Sequence, residues 1–182
     1  MTQPIVWNDT FPGTATGTIN GITVKAKIQP TLNMEISGTG LIDLGNLTSA
    51  SYNTGTVSIE IGTNATAGAV VTAKSTNGGL KSGTGDFINN LVADGAADSY
   101  LFTSTIGAVT DSSFTGTINQ TFMTSTEVNS TATSYQIYGS SRPQQKSGSI
   151  DDITFSVSAK PNAQSPAGNY TDVIVVTVTG TF

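Results

Sequence analysis

The sequence predicts an all-β protein with the architecture of an immunoglobulin-like β-sandwich, and three observations support this prediction. Only 10% of the residues are charged, and Gly, Ser, Thr and Asn make up much of the rest, a composition that favours strands and turns over helices. Several stretches alternate apolar and polar residues with a period of two, as strands with one buried face do. Clusters of turn-forming residues separate these stretches at short intervals. We therefore expect a single domain containing about seven to nine short strands.

The first alternating stretch covers residues 22–36. Its even-numbered positions are apolar or Pro and its odd-numbered positions are polar, which predicts one long strand. Pro30 cannot donate a hydrogen bond to a neighbouring strand, so we expect a kink or a change of sheet there. Later strands are expected in TVSIEI (56–61), GAVVTAK (68–74), SYLFTSTI (99–106), SSFTGTINQTF (112–122), SYQIYG (134–139) and ITFSVSA (153–159). Residues 75–98 are expected to form a long loop or a loosely formed hairpin.

The last alternating stretch, VIVVTVTGTF (173–182), predicts a strand with one apolar face. That face consists of Ile174, Val176, Val178, Gly180 and Phe182. The stretch carries no charge, although charges are one device by which proteins protect the exposed edge of a sheet. Since no turn and no returning strand follow it, we expect its edge to be left uncovered by its own chain.

Residues 1–17 are predicted to be an N-terminal extension that precedes a domain of residues 18–182. Ile5, Trp7 and Phe11 lie on one face of this extension at a period of two. Two interpretations of the segment stay open at this point. It is either a detachable apolar segment or simply the first strand of the same sandwich.

The segment SPAGNYTD (165–172) and the strand that follows it resemble the closing pattern of a known group of proteins. These are the pilin-like subunits of chaperone-usher fibres, in particular the spore coat protein U-like domains of the archaic branch. The position of Gly168, fourteen residues before Phe182, is similar to the spacing of the pilin signature. Weaker similarities are found in GITVKAKI (21–28), in the Leu44-Gly45 pair and in YQIYG (135–139). Distant membership of the group and convergence on the same assembly are both compatible with these similarities.

The resemblance implies a sandwich that lacks one strand and is completed by the donated N-terminal strand of the next subunit. The donor residues would be Ile5, Trp7 and Phe11, and Gly180 would leave space for a bulky donor side chain. The walls of the acceptor groove would be Ile22, Val24, Ala26, Ile28, Ile174, Val176, Val178, Gly180 and Phe182. The partners would be identical subunits in a head-to-tail homopolymer, a fibre on the extracellular surface. A periplasmic chaperone and an outer-membrane usher are the further partners that the resemblance raises.

The composition argues against several other classes of function. The net charge is −5 and no basic stripe is present, so we expect no nucleic-acid binding. No apolar run approaches the ~20 residues that cross a bilayer, so we expect no membrane insertion. The numbering includes no signal peptide, so we expect that this numbering describes the mature form if the protein is exported. The absence of His and Cys removes Ser-His-Asp and Cys-His catalysis. We therefore expect neither an enzyme nor a cofactor.

Carboxylate pairs are the remaining candidates for chemistry. Asp151-Asp152 and Asp94 with Asp98 are the close pairs in the sequence. Adjacent residues of a strand point to opposite faces, and turns are rich in Asp for conformational reasons, so we interpret both pairs as turn residues. A calcium site at Asp94 and Asp98 lacks the regular spacing of oxygen ligands that a recognised calcium loop has, and we expect no metal.

The rival interpretation of the whole chain is a stand-alone module. A secreted or cell-surface β-sandwich that binds carbohydrate or adheres to a surface would use its N-terminal segment to complete its own sheet. Deletion of residues 2–12 distinguishes the two, because it should abolish polymerisation of a fibre subunit but unfold a self-completed module.

Overall fold

The computed structural model describes residues 23–89, 98–106, 120–143 and 153–182. Within these ranges the chain contains twelve strands and no helix, and the strands pair in the antiparallel sense in three sheets. The all-β prediction is confirmed. The described part of the chain has no helix with the length and apolar character of a membrane span.

Two large sheets and one small sheet make up the structure. The five-stranded sheet has the order β1 (Leu32–Ile36), β2 (Asn53–Thr63), β10 (Ile153–Lys160), β6 (Ser99–Ile106) and β8 (Thr126–Glu127). The four-stranded sheet has the order β12 (Ile174–Gly180), β3 (Ala69–Ser75), β9 (Tyr135–Ser140) and β7 (Gln120–Phe122). The three-stranded sheet consists of β11 (Tyr170–Thr171), β4 (Leu80–Ser82) and β5 (Phe87–Ile88).

The core lies between the two large sheets. Strand β10 alternates buried and half-buried residues, and its buried positions are Ile153, Phe155, Val157 and Ala159. The register pairs Phe155 with Val57 of β2 on one side and with Ser104 of β6 on the other. Inward residues of β3 and β9 join the same hydrophobic cluster, so the two sheets share one core. This arrangement is consistent with a β-sandwich.

Aromatic rings connect the two sheets at the centre of the core. Phe102 of β6 is fully buried and lies edge-on to Phe155, with ring centroids 5.1 Å apart. It also lies edge-on to Tyr135 of the opposite sheet, at 5.9 Å. Such pairs contribute about 0.5–1.5 kcal/mol beyond the burial of their surface, so this cluster helps to fix the packing of the two sheets.

One flank of the sandwich is closed by the chain itself. Between β7 and β8 the chain crosses from the four-stranded to the five-stranded sheet. The backbone N–H of Ser104 donates to the carbonyl of Met123 at 3.1 Å, and the N–H of Met123 donates to Ser104 Oγ at 2.8 Å. The same hydroxyl donates to the carbonyl of Ile137 in the opposite sheet. These bonds join the two sheets directly on this flank.

The N-terminal strand is shorter than the sequence predicts. It begins at Leu32, whereas residues 23–31 belong to no strand. Leu32 pairs with Thr63, the last residue of β2, and the chain then turns at Gly68, whose φ is 77°. The N–H of Asn64 still donates to the carbonyl of Thr31 at 3.3 Å, but the residues before Thr31 have no β2 backbone opposite them. Pro30 also lacks the N–H that a ladder would require.

The region 75–98 contains more structure than a loop. Strands β4 and β5 form a hairpin in which Leu80 pairs with Ile88. Gly85 in its turn has a φ of 99°, a conformation that favours glycine. The expectation of a hairpin in this region is confirmed, while its residues 90–97 lie outside the described ranges.

Candidate acceptor groove

An open groove lies on the flank opposite the closed one, between the end of β1 with the residues that follow it (within 40–49) and the start of β12 with the residues that precede it (within 161–173). Within the described chain β1 pairs only with β2, and β12 pairs only with β3, so each strand has one free edge. The groove between them has a volume of about 970 Å³. Its apolar lining comes from both walls and from the core behind them: Ile36, Leu41, Ile42, Leu44, Leu47, Val57, Leu80, Ile88, Phe155, Val157, Ile174 and Val176.

The burial of the edge strands shows that their inner faces lack a cover. The inward residues of β10, in the middle of its sheet, are all buried. The inward residues of β12, which are Ile174, Val176 and Val178, are only half-buried although they pack against the same core. Met34 and Ile36 on β1 are also half-buried. The two strands that border the groove therefore expose apolar surface that a further strand could cover.

The wall on the side of the five-stranded sheet continues beyond β1 through residues 41–45. Asn53 Nδ2 donates to the carbonyl of Leu44 at 2.8 Å, which ties this segment to β2. A side chain at Gly55 would have its Cβ 2.5 Å from Ile42 Cγ2, so the close approach of the segment requires glycine at that position. Asp43 accepts a hydrogen bond from the N–H of Gly45 at 2.8 Å, which shapes the following turn.

The start of β12 is fixed by a buried tyrosine. Tyr100 is 2% exposed, and its hydroxyl donates to Asp172 Oδ2 at 3.1 Å. The other carboxylate oxygen accepts the N–H groups of Asn77, at 3.2 Å, and Val173, at 2.9 Å. Burial, and then the charge of Asp172, raise the pKa of Tyr100 above its usual range, so its hydroxyl remains a donor. This network holds the four-stranded wall of the groove against the core.

A second tyrosine shapes the mouth of the groove. The hydroxyl of Tyr170 donates to the carbonyl of Pro166 at 2.8 Å, which closes the loop that precedes β11. Partial burial raises the pKa of Tyr170, and the nearby carboxylates of Asp86 and Asp98 raise it further.

The electrostatic character of the groove is acidic. Among the described residues that line it, the charged ones are Asp43 and Asp172, and none is Lys or Arg. An extended segment that carries positive charge beside an apolar face would therefore match both the apolar lining and the charge of the groove.

The structure places the predicted wall residues in different environments. Ile174 and Val176 line the groove, and Val178 is half-buried farther along the same strand. Val24 and Ile28 are 87% and 84% exposed and do not line the groove, and Ala26 between them is exposed as well. The predicted groove wall formed by these three residues is therefore absent, because the strand that would present them begins only at Leu32. Ile5, Trp7, Phe11 and Ile22 lie outside the described residues.

The space expected at Gly180 is already occupied. A Cβ at this position would lie 3.2 Å from the ring of Phe182 and 3.4 Å from the Cβ of Ala65. The Phe182 ring, which is 55% exposed, thus covers the position where the sequence predicts room for a donor side chain.

Most of the second wall was not predicted from the sequence. Ile36, Ile42 and Leu44 line it, and their even spacing, which continues the alternation from Met34, was the signal for it. Two positive-φ residues, Gly38 and Gly40, separate β1 from the 41–45 segment. The turn at these two glycines ends the strand, but the apolar residues before the turn and those after it lie along the same edge of the sheet.

Of the candidate carboxylate pairs, only Asp98 belongs to the described residues. Asp98 is buried, and Asp94, Asp151 and Asp152 lie outside the described residues. No group of three or more His, Cys, Asp or Glu side chains in the described ranges is arranged to hold a metal ion. Comparison of the chain with protein-family models, with curated proteins and with solved structures finds no match. The function is therefore inferred from the geometry of the groove.

Proposed function

We propose that the chain is a structural subunit of an extracellular fibre that polymerises head to tail by donor-strand exchange. The single observation that carries this proposal is the open groove between the edge strands β1 and β12, which exposes apolar core residues on one flank of the described chain. An N-terminal segment of one subunit would enter the groove of the next and complete an immunoglobulin-like sandwich. The sequence prediction assigns this role to residues 1–17, with Ile5, Trp7 and Phe11 as the inserted side chains.

The physical gain from strand donation has two parts. An added strand would form a ladder of main-chain hydrogen bonds with the free edge of β12, each contributing about 0.5–1.5 kcal/mol. Its alternate side chains would cover Ile174 and Val176, and each large apolar side chain that becomes buried contributes about 1.5–3 kcal/mol. These contributions act together along one short segment, so the joint should dissociate slowly.

The symmetry of such a joint leads to a filament. The donor segment and the groove are different surfaces of the same molecule, so the contact is heterologous, and it repeats as an open filament when its rotation does not close a ring. The same proposal places the protein on the outside of the cell and makes identical subunits its main partners, with a chaperone and an usher as assembly factors.

The test is self-assembly of the purified full-length chain, measured by electron microscopy and by sedimentation velocity over a range of concentrations. The expected result is filaments whose repeat matches the length of one sandwich. A protein that stays monomeric at every concentration would overturn the proposal and favour the stand-alone binding module, whose groove would then be available to a ligand such as a carbohydrate.

A further inference from the structure

The segment that precedes β1 has the properties of a ligand for the groove. We name residues 23–30 the arm. Every side chain of the arm is exposed, and Val24 and Ile28 are the two most exposed large hydrophobic residues of the described chain, at 87% and 84%. Isolated exposed apolar residues are common, but three at a regular period of two along one extended segment form a surface that fits a partner.

The two faces of the arm differ in character. In an extended conformation Val24, Ala26 and Ile28 share one face, while Lys25 and Lys27 share the other. The arm has no carboxylate, and the described lining of the groove has two carboxylates and no basic residue. The apolar face of the arm thus matches the floor of the groove, and its charge is opposite to that of Asp43 and Asp172.

Two hydrogen bonds of the Asn64 side chain hold the base of the arm against the sandwich, and we name this pair of bonds the Asn64 clasp. Asn64 Oδ1 accepts the N–H of Thr31 at 2.8 Å, and Asn64 Nδ2 donates to the carbonyl of Gln29 at 2.7 Å. These bonds hold the chain where it leaves β1, beside Thr63 at the end of β2. The groove begins farther along, at Ile36 and Val57, so the arm would have to reverse its direction at this clasp to enter its own groove.

We propose that the arm of one copy occupies the groove of a second copy, with Val24, Ala26 and Ile28 directed at the core and the arm backbone paired to the free edge of β12. This inference rests on the proposed function, but it assigns the donor role to residues 23–30 instead of residues 1–17. Lys25 and Lys27 then face outward, on the strand face opposite to Val24, Ala26 and Ile28. Only the residues around the Asn64 clasp separate the inserted segment from β1, so successive sandwiches lie close together.

The first experiment compares assembly of full-length variants altered on the two faces of the arm. V24N/I28N removes both large apolar side chains, and K25N/K27N introduces the same residue type twice on the other face. Because the arm side chains are exposed, neither variant should change the Tm of the dissociated monomer. We expect V24N/I28N to raise the concentration needed for filaments about 100-fold or more, which corresponds to the loss of two buried side chains. K25N/K27N should raise it less than about tenfold, and chiefly at low salt.

The outcomes separate this inference from the proposed function. Filaments that persist in V24N/I28N but disappear in I5N/W7N would overturn the arm assignment and leave the fibre intact, with the donor in residues 1–17. A wild-type chain that does not assemble would overturn both. Equal losses in V24N/I28N and K25N/K27N would contradict the assignment of the two faces.

The second experiment uses the absence of native cysteine. An A26C chain and a V176C chain are mixed, assembled and oxidised, and the heterodimer is identified by mass spectrometry. We expect A26C to cross-link efficiently with V176C. A K25C chain used in place of A26C should give a yield of cross-linked heterodimer at least about tenfold lower, because side chains at adjacent positions of a strand point to opposite faces. Equal yields for A26C and K25C would overturn the proposal.

Discussion

Individual side chains of the β4–β5 hairpin give the structure a defined response to acid. Asp86 Oδ2 accepts hydrogen bonds from Thr84 Oγ1 at 2.6 Å and Ser82 Oγ at 3.1 Å. These bonds, that of Thr84 first, lower the pKa of Asp86 below its usual 3.8. A lowered folded-state pKa means that the carboxylate stabilises the fold above pH 3.8 and that this contribution is lost as pH falls through the folded-state value.

The variant D86N tests this assignment, because it keeps an accepting oxygen but removes the charge. We expect the wild-type chain to be more stable than D86N at pH 6 and to lose part of that advantage at pH 3. The measurement is urea denaturation of both proteins at the two pH values. An advantage that is the same at both pH values would show that the charge of Asp86 does not stabilise the hairpin.

Tyr100 is a second single side chain at this scale, and we expect it to make a larger contribution to the free energy of unfolding. Y100F deletes a buried hydroxyl that donates to the charged Asp172, and hydrogen bonds to charged groups contribute about 1.5–3 kcal/mol. Y170F is the matched control, because the hydroxyl of Tyr170 donates to a neutral carbonyl in a more exposed position. We expect Y100F to lower the free energy of unfolding by ~2 kcal/mol and Y170F by ~1 kcal/mol or less. Equal losses in urea denaturation would contradict the role assigned to the Tyr100–Asp172 pair.

At the scale of whole strands, position in the sheet decides how well an alternating sequence is covered. Strands β10 and β12 have similar patterns, but β10 has a neighbour on both sides and β12 has one. The alternation therefore identifies both as strands and says nothing about which of them is an edge. For this reason the sequence is enough to predict that β12 forms a wall of the groove. How far the side chains of that wall are buried follows only from the order of the strands in the sheet.

Two isoleucine substitutions measure this difference. Ile153 of β10 is fully buried, so I153A should cost about 2–5 kcal/mol in the monomer. Ile174 of β12 is half-buried, so I174A should cost about half as much in the monomer and more in the filament, where the donated strand would cover it. Urea denaturation of the dissociated and assembled proteins provides the comparison. A cost for I174A that matches I153A in the monomer would mean that β12 is already covered.

Across the whole molecule, local patterns predict the elements and tertiary pairing decides their extent. The expected strands around Ile59, Val71, Phe102, Ile137 and Phe155 are present because apolar residues at a period of two bury one face of a sheet. The stretch before Leu32 has the same period but no strand, since β2 ends at Thr63 and has no further backbone to pair with it. The sequence of one strand does not indicate where the neighbouring strand of the sheet ends. Pro30 was the one residue that marked the boundary.

The closed flank limits the number of neighbouring molecules that one molecule could bind by strand exchange. In the described part of the chain, the bonds between Ser104 and Met123 and the crossing of the chain beside them join the two sheets on one flank, and the groove opens on the other. Under the proposed strand exchange, a subunit with one groove and one projecting arm would join two neighbours, and its filaments would not branch. Such filaments would have two unlike ends, one with an empty groove and one with a free arm, so their growth could be regulated separately at each end.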